Sequence, residues 1–241
     1  MKDRTLVFYK KREGISSTFK VLEPVYHKSN NHSVSTSRAT RLLLGGMRKG
    51  TTDFFRDFDD FYIPTDTYAI NLFHTSIAVA TARGVEVLTL DKKVPLSIPD
   101  LKPPDCASIA LRLRDQRPLG MFRLSDSEFL LCFEEVGIYV NKLGDVSRAV
   151  VMEFVGKARQ AVLWGGMYLV LVDQGGGFVE VRNAVNGRLK QVVSGRDVRL
   201  LDDGQRGPGG GEGTVKIAMQ HPELEGRQVV VEMLVNEGMR E

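Results

Sequence analysis

Short apolar runs broken by polar turns fill most of this chain, and one such unit is written three times. Its first copy runs Tyr68-Ala-Ile-Asn-Leu-Phe73, the turn His74-Thr75-Ser76, Ile77-Ala-Val-Ala80, then Gly84-Val-Glu-Val-Leu-Thr-Leu90. The second runs Gly120-Met-Phe-Arg-Leu124, the turn Ser125-Asp126-Ser127, Glu128-Phe-Leu-Leu-Cys-Phe133, then Gly137-Ile-Tyr-Val-Asn-Lys142. The third runs Ala161-Val-Leu-Trp164, the turn Gly165-Gly166, Met167-Tyr-Leu-Val-Leu-Val172, then Gly177-Phe-Val-Glu-Val-Arg182. Runs of this length, rich in β-branched and aromatic residues and bounded by turn residues, predict strands. The corresponding glycines Gly84, Gly137 and Gly177 recur at roughly 40 to 50 residues, the period of a β-propeller blade.

The flanks extend the pattern. Thr5-Leu-Val-Phe-Tyr9 and Ser17-Thr-Phe-Lys-Val-Leu22 predict two strands joined by a turn at Glu13-Gly14, with Phe19 and Val21 facing one way, Thr18 and Lys20 the other. Residues 28–50 shift to Ser, Asn, Thr, Arg, Lys and Gly and read as a flexible loop, in which Ser37 to Leu44 suits a helical turn or a strand. Asp53 to Phe61 carries Phe54, Phe55, Phe58 and Phe61, a helical spacing that equally suits a strand, and Pro64 sets a boundary after it. Pro95, Pro99, Pro103 and Pro104 exclude a central strand between the first two copies, and Cys106 to Leu113 is a short apolar segment. Asn186-Gly187 is the strongest hairpin signal, joining Phe178–Arg182 to Leu189–Val193. Residues 202–213 form a second flexible loop. Val215–Met219 and Gln228–Val235 are the last strands, and nothing reads as a long amphipathic helix. The expected class is all-β.

Composition adds limits. With 241 residues the chain can bury a sizeable core, and 33 basic against 30 acidic side chains leave no concentrated basic footprint of the kind nucleic acid demands. Cys106 and Cys132 are far apart, and the expected state is a free thiol in a reducing compartment. No apolar stretch has signal-peptide or membrane-spanning length, so a cytoplasmic protein without a transmembrane segment is expected. Asn31-His32-Ser33 matches a glycosylation sequon and reads as chance in that compartment.

Chemistry is sparse. Gly156-Lys157 lacks the Ser or Thr and the earlier glycine of a phosphate-binding loop, and the remaining glycine runs read as turns. His27, His32, His74 and His221 have no ligand spacing and read as solvated or capping residues; no cofactor or metal is expected. The acidic pairs Asp59-Asp60, Glu134-Glu135 and Asp202-Asp203 are expected at solvated turns. Two basic clusters are the candidate partner surfaces: Lys10-Lys11-Arg12, read as a hairpin tip, and Arg38, Arg41, Arg48 and Lys49 in the loop. Trp164 and the strand aromatics read as core.

Phe61-Tyr-Ile-Pro-Thr-Asp-Thr-Tyr-Ala-Ile-Asn-Leu72 resembles the citron homology (CNH) domain, in the form found at the C-terminus of fungal Rho guanine nucleotide exchange factors. The resemblance continues through Glu128 to Gly144, through Phe178 to Gly187 with the following Leu189 to Leu201, and through Lys11 to Pro24. It implies a β-propeller used for protein–protein contact, of which residues 1–241 would be the C-terminal part, about four to five of seven blades. It implies no catalytic residue in this chain, since exchange activity would sit in Dbl-homology and pleckstrin-homology domains. The partners implied are a Rho-family small GTPase or other signalling proteins, with the parent protein peripheral at the cell cortex. An open arc of blades also predicts self-association or completion by the missing blades. A CNH scaffold of a Ste20-type kinase or of a vacuolar tethering protein is the alternative the same resemblance allows.

Overall fold

A computed structural model describes residues 7–14, 16–25, 55–73, 75–89, 94–204 and 213–234, and these form antiparallel sheets with one short helix. The chain divides into two compact units, Met1–Asp66 and Thr67–Glu241.

In the first unit, β1 (Val7–Glu13), β2 (Ser16–Pro24) and β3 (Phe55–Ile63) make a three-stranded meander in that order. Gly14, at φ 65°, supplies the left-handed turn between β1 and β2. Phe19 and Val21 are buried and Lys20 is exposed, as the alternation of β2 predicts. Phe19 lies opposite Phe61 with the rings stacked at 4.8 Å, so the phenylalanine spacing of 53–61 serves a strand and not a helix. Two expectations are corrected here. Lys10-Lys11-Arg12 is no hairpin tip: pairing continues to Glu13 opposite Ser16, which keeps all three residues within β1. Asp59-Asp60 lies inside β3, opposite Val21 and Lys20, and not at a turn.

The second unit carries four sheets. Three are four-stranded meanders: β4 (Thr67–Leu72), β5 (Ser76–Thr81), β6 (Gly84–Thr89) and β7 (Pro95–Ile98); β8 (Pro118–Arg123), β9 (Glu128–Phe133), β10 (Val136–Asn141) and β11 (Met152–Glu153); β12 (Ala158–Trp164), β13 (Tyr168–Asp173), β14 (Phe178–Asn183) and β15 (Leu189–Ser194). The fourth holds β16 (Arg199–Asp202), β17 (Val215–Gln220) and β18 (Gln228–Met233). The proline-rich segment ends as β7, which pairs only with β6, so Pro95 and Pro99 meet no demand for ladder hydrogen bonds on the far side. A single turn of tight helix at Pro104–Cys106 leads into α1 (Ala107–Leu113), whose Ile109 and Leu113 are buried.

The core follows from strand alternation. In β9, Leu131 and Phe133 join a cluster with Ala78, Val85 and Ile98 of the preceding sheet, while Leu130 and Cys132 join one with Leu169 and Leu171 of the following sheet. In β13, Val170 and Val172 in turn pack with Val215 and Ile217 of the last sheet. A strand buried on both faces reads as an unbroken apolar run, and this is the form of Leu-Leu-Cys-Phe and Tyr-Leu-Val-Leu-Val. The Asn186-Gly187 hairpin forms, but as a four-residue loop: Asn183 N–H donates to Arg188 O, Asn183 Oδ1 accepts from Val185 N and Asn186 N, and only Gly187 has positive φ.

Side chains stitch the sheets at their ends. Arg148 donates to both carboxylate oxygens of Glu128 and to Val185 O of the next sheet, and its guanidinium lies 3.9 Å above the Tyr139 ring. Tyr139 in turn donates to Ala184 O at 3.0 Å. The hydrogen bond from Arg148 holds the Glu128 carboxyl below its ordinary pKa.

Leu130→Ala should cost about 2 to 5 kcal/mol, read as a lower urea midpoint with unchanged slope. Val230→Thr, at an exposed position, should stay within about 0.5 kcal/mol. Because the folded Glu128 pKa is depressed, its contribution is present above the ordinary carboxylate pKa and is lost as pH falls through the folded value. In Arg148→Met, the fall of the urea midpoint from neutral to acid pH should therefore be shallower than in the parent.

Candidate interaction surface

The first strands of the first three sheets of the second unit are neighbours, β8 packing against both β4 and β12. Three of them open with the same irregularity: pairing skips a residue between Thr67 and Ala69, between Pro118 and Gly120, and between Ala158 and Gln160. A bulge of this kind re-aims the side chains at the strand end. Here it brings together Tyr68, Arg117, Lys157, Arg159 and the start of β16.

The contacts run across all four sheets. Arg117 sits over the Tyr68 ring, 5.2 Å from its centroid. Its Nη2 donates to Arg159 O at 3.4 Å, and Arg159 Nη2 donates to Val198 O, the residue before Arg199. Arg199 donates from Nη2 to Gln228 Oε1 at 2.6 Å and lies 3.8 Å from Asp197. Glu134, in the β9–β10 turn, anchors the middle: its Oε2 pairs with Lys157 Nζ at 3.0 Å and its Oε1 stands 3.6 Å from Arg117 Nε. Only 8% of Glu134 is exposed, so the expectation of a solvated turn residue is corrected: two cations from adjacent sheets require it inside.

The Nε atoms of Arg117, Arg159 and Arg199 are buried and accepted by no hydrogen-bond partner, while the side chains of Arg117 and Arg199 keep 37% and 43% of their surface in solvent. Asp173 Oδ2, at the end of β13, accepts from Gly177 N at 2.9 Å, and Asp202 pairs with Lys216 at 3.9 Å. Arg196 is exposed in the segment leading to β16.

A second feature is an open cleft of about 190 Å³ between β15 and β18, floored by Trp164, Tyr168, Val193 and Met233 and rimmed by Lys190 and Glu232. Trp164 donates from Nε1 to Gly213 O at 2.9 Å, so it is core as expected and also closes this cleft.

Among the described residues no group of His, Cys, Asp and Glu has the geometry of a metal site. His221 is a cap: its Nδ1 accepts from Glu223 N and Leu224 N. Cys106 and Cys132 are both free and buried, and burial pushes both thiols above their ordinary pKa, the reverse of what a nucleophile needs. No helix among the described residues is long and apolar enough to cross a membrane. Arg38, Arg41, Arg48 and Lys49, the sequon at Asn31, and His27, His32 and His74 lie outside the described residues, as does 205–212 of the second loop. Lys157, Arg117, Arg159 and Arg199 carry no local motif; the signal available was a basic residue at or beside the start of β8, β12 and β16, absent from the start of β4.

The CNH domain model matches residues 1–204. Among curated proteins, Rho1 guanine nucleotide exchange factor 3 of Schizosaccharomyces pombe is 28% identical over 232 residues, 95% of this chain and 17% of that protein. Rho1 guanine nucleotide exchange factor 1 of the same yeast is 28% identical over 203 residues, 84% of this chain and 14% of that protein. The chain therefore spans less than a fifth of either relative. Among solved structures, the AfRom2 CNH domain superposes with a TM-score of 0.68 at 22% identity, covering 95% of this chain and 61% of that one. That likeness shows a shared propeller-like, all-β fold. With a family match over most of its length, this chain belongs to the CNH domain family.

Proposed function

We propose that this chain is a non-catalytic, regulatory protein-binding module of a Rho-type guanine nucleotide exchange factor, acting in small-GTPase signalling. The observation that carries this is membership of the CNH family together with relatives named as Rho1 exchange factors. In this reading exchange belongs to other segments of the parent protein, and the chain is the C-terminal part of a larger CNH propeller. Anchored sheets with polar residues gathered at their ends give such a module its scaffold and its contact surface. Its partner would be a Rho-family GTPase or a protein that controls one, met on the cytoplasmic side at the cell cortex. Arg38, Arg41, Arg48 and Lys49 belong to this reading as contacts supplied by residues 28–50.

The test is capture of purified Rho-family GTPases on the immobilised full chain, with each GTPase loaded with GDP or with a non-hydrolysable GTP analogue. Retention in either state, at about micromolar affinity, is the expected result. Failure to retain any of them in both states would overturn direct GTPase binding. Deleting residues 28–50 should leave the melting temperature unchanged and weaken capture if that segment supplies contacts.

A further inference from the structure

A strand at the edge of a sheet presents unpaired N–H and C=O groups, a template for pairing with another chain. Bulges, prolines, charge or shortness blunt such edges, and every other outermost strand of the second unit carries one of these devices. β4, β8, β12 and β16 are interrupted by bulges at Tyr68, Leu119, Arg159 and Leu201. β7 opens on Pro95, β11 has only two residues, and β15 bulges at Lys190. β18 has none of them. Gln228-Val-Val-Val-Glu-Met233 pairs with β17 at six consecutive positions without a shift, and holds no proline, glycine, lysine or arginine. Among the described residues it has no other strand partner, and its sheet has three strands where the other sheets of the unit have four. Val230 keeps 62% of its surface in solvent, and Gln228 and Glu232 on the same face are exposed.

We infer that β18 pairs antiparallel with β18 of a second copy of this chain, joining two three-stranded sheets across a two-fold axis. The strand itself argues for this partner. Val229, Val231 and Met233 face the core shared with β13, while Gln228, Val230 and Glu232 face out. An odd slip would set packed positions against exposed ones, so only registers that oppose residues of one face are allowed. Centring the axis on Val230 puts it against its own copy, Val229 against the partner's Val231, and Gln228 against the partner's Glu232. Opposed β-branched residues, and an amide facing a carboxylate, are favourable cross-strand pairs. The groups needed are in place. Gln228 Oε1 accepts from Arg199, which leaves its amide N–H groups to donate; Glu232 Oε1 accepts from Thr214, which leaves Oε2 to receive them. One strand edge buries less than the roughly 1,200 Å² of a stable interface, so the dimer is a weak, reversible one. This association stands apart from GTPase binding and does not rest on it.

The test is sedimentation equilibrium of the full chain, where a reversible monomer–dimer equilibrium with a dissociation constant on the order of tens of micromolar is expected. Val230→Lys sets like charges against each other at the axis and should weaken dimerisation about tenfold, with the circular dichroism spectrum unchanged. Cysteine variants read the register should the lysine variant misfold. Opposed Cα atoms lie about 4.5 to 5.5 Å apart, within disulfide range, so Val230→Cys should crosslink two chains in oxidised glutathione. Glu232→Cys, opposite the partner's Gln228, should not, and the native thiols Cys106 and Cys132 are buried. A chain that stays monomeric, a dimer indifferent to Val230→Lys, or equal crosslinking of both cysteine variants would overturn the inference. So would a monomeric chain that binds a labelled Thr-Val repeat peptide at this edge, which would assign the edge to a foreign strand. The two readings fail separately. Capture of a GTPase by a strictly monomeric chain would remove this association alone; dimerisation without capture of any GTPase would remove direct GTPase binding alone.

Discussion

β9 and β13 must each serve two cores at once, and the packing of the second unit depends on that demand. β9 sends Leu131 and Phe133 toward the preceding sheet and Leu130 and Cys132 toward the following one, and β13 repeats the division with Leu171 and Val172. A strand alternates its side chains with period two, so a strand covered on both faces takes apolar residues at successive positions and a polar one only where it is paired, as Glu180 is. Sheets joined in this way cannot slip by one residue without exchanging the contents of two cores. Register is therefore set by packing, and the turns are free to carry polar groups.

Those polar groups collect where the sheets end. Glu134 ties Arg117 to Lys157, Arg148 ties Glu128 to Val185 O, and Glu180, 1% exposed, accepts from Val155 N at 2.8 Å while pairing with Arg182. Each is a carboxylate–cation unit whose remaining hydrogen bonds go to backbone of a neighbouring sheet. Buried pairs of this type add little net stability over apolar residues, because desolvation offsets most of the attraction. What they add is specificity: losing one partner strands a buried charge, so alternative sheet arrangements that separate the pairs are disfavoured.

The sheets were legible in the sequence because their signal is local. The three repeated units correspond to the first three strands of the four-stranded sheets, and Asn186-Gly187 marked a real turn, though its geometry depends on Asn183 Oδ1, which no dipeptide rule contains. The short strands β11 and β16 were not legible: Met152-Glu153 has no length to show a period, and Arg199–Asp202 mixes charge with apolar residues. The helical spacing of phenylalanines before Pro64 was ambiguous for a different reason. Phe61 is placed by its stacking on Phe19, a partner far away in sequence. The candidate surface was hidden more deeply still, since Tyr68, Arg117, Arg159 and Arg199 are unremarkable singly and acquire meaning only when stacked sheets align their strand starts.

That alignment gathers polar side chains side by side at the strand starts of successive sheets. Catalysis needs groups that converge on one point, with at least one pKa moved toward the working pH. The strand starts of successive sheets are instead laid side by side, so equal residues at equal positions form a row. The bulges at Tyr68, Leu119 and Arg159 add local twist, and backbone carbonyls of the next sheet fix the guanidiniums of Arg117 and Arg159. The same stitches hold neighbouring sheets in register, and weakening the scaffold at Glu134 would loosen Arg117 and Lys157 at once.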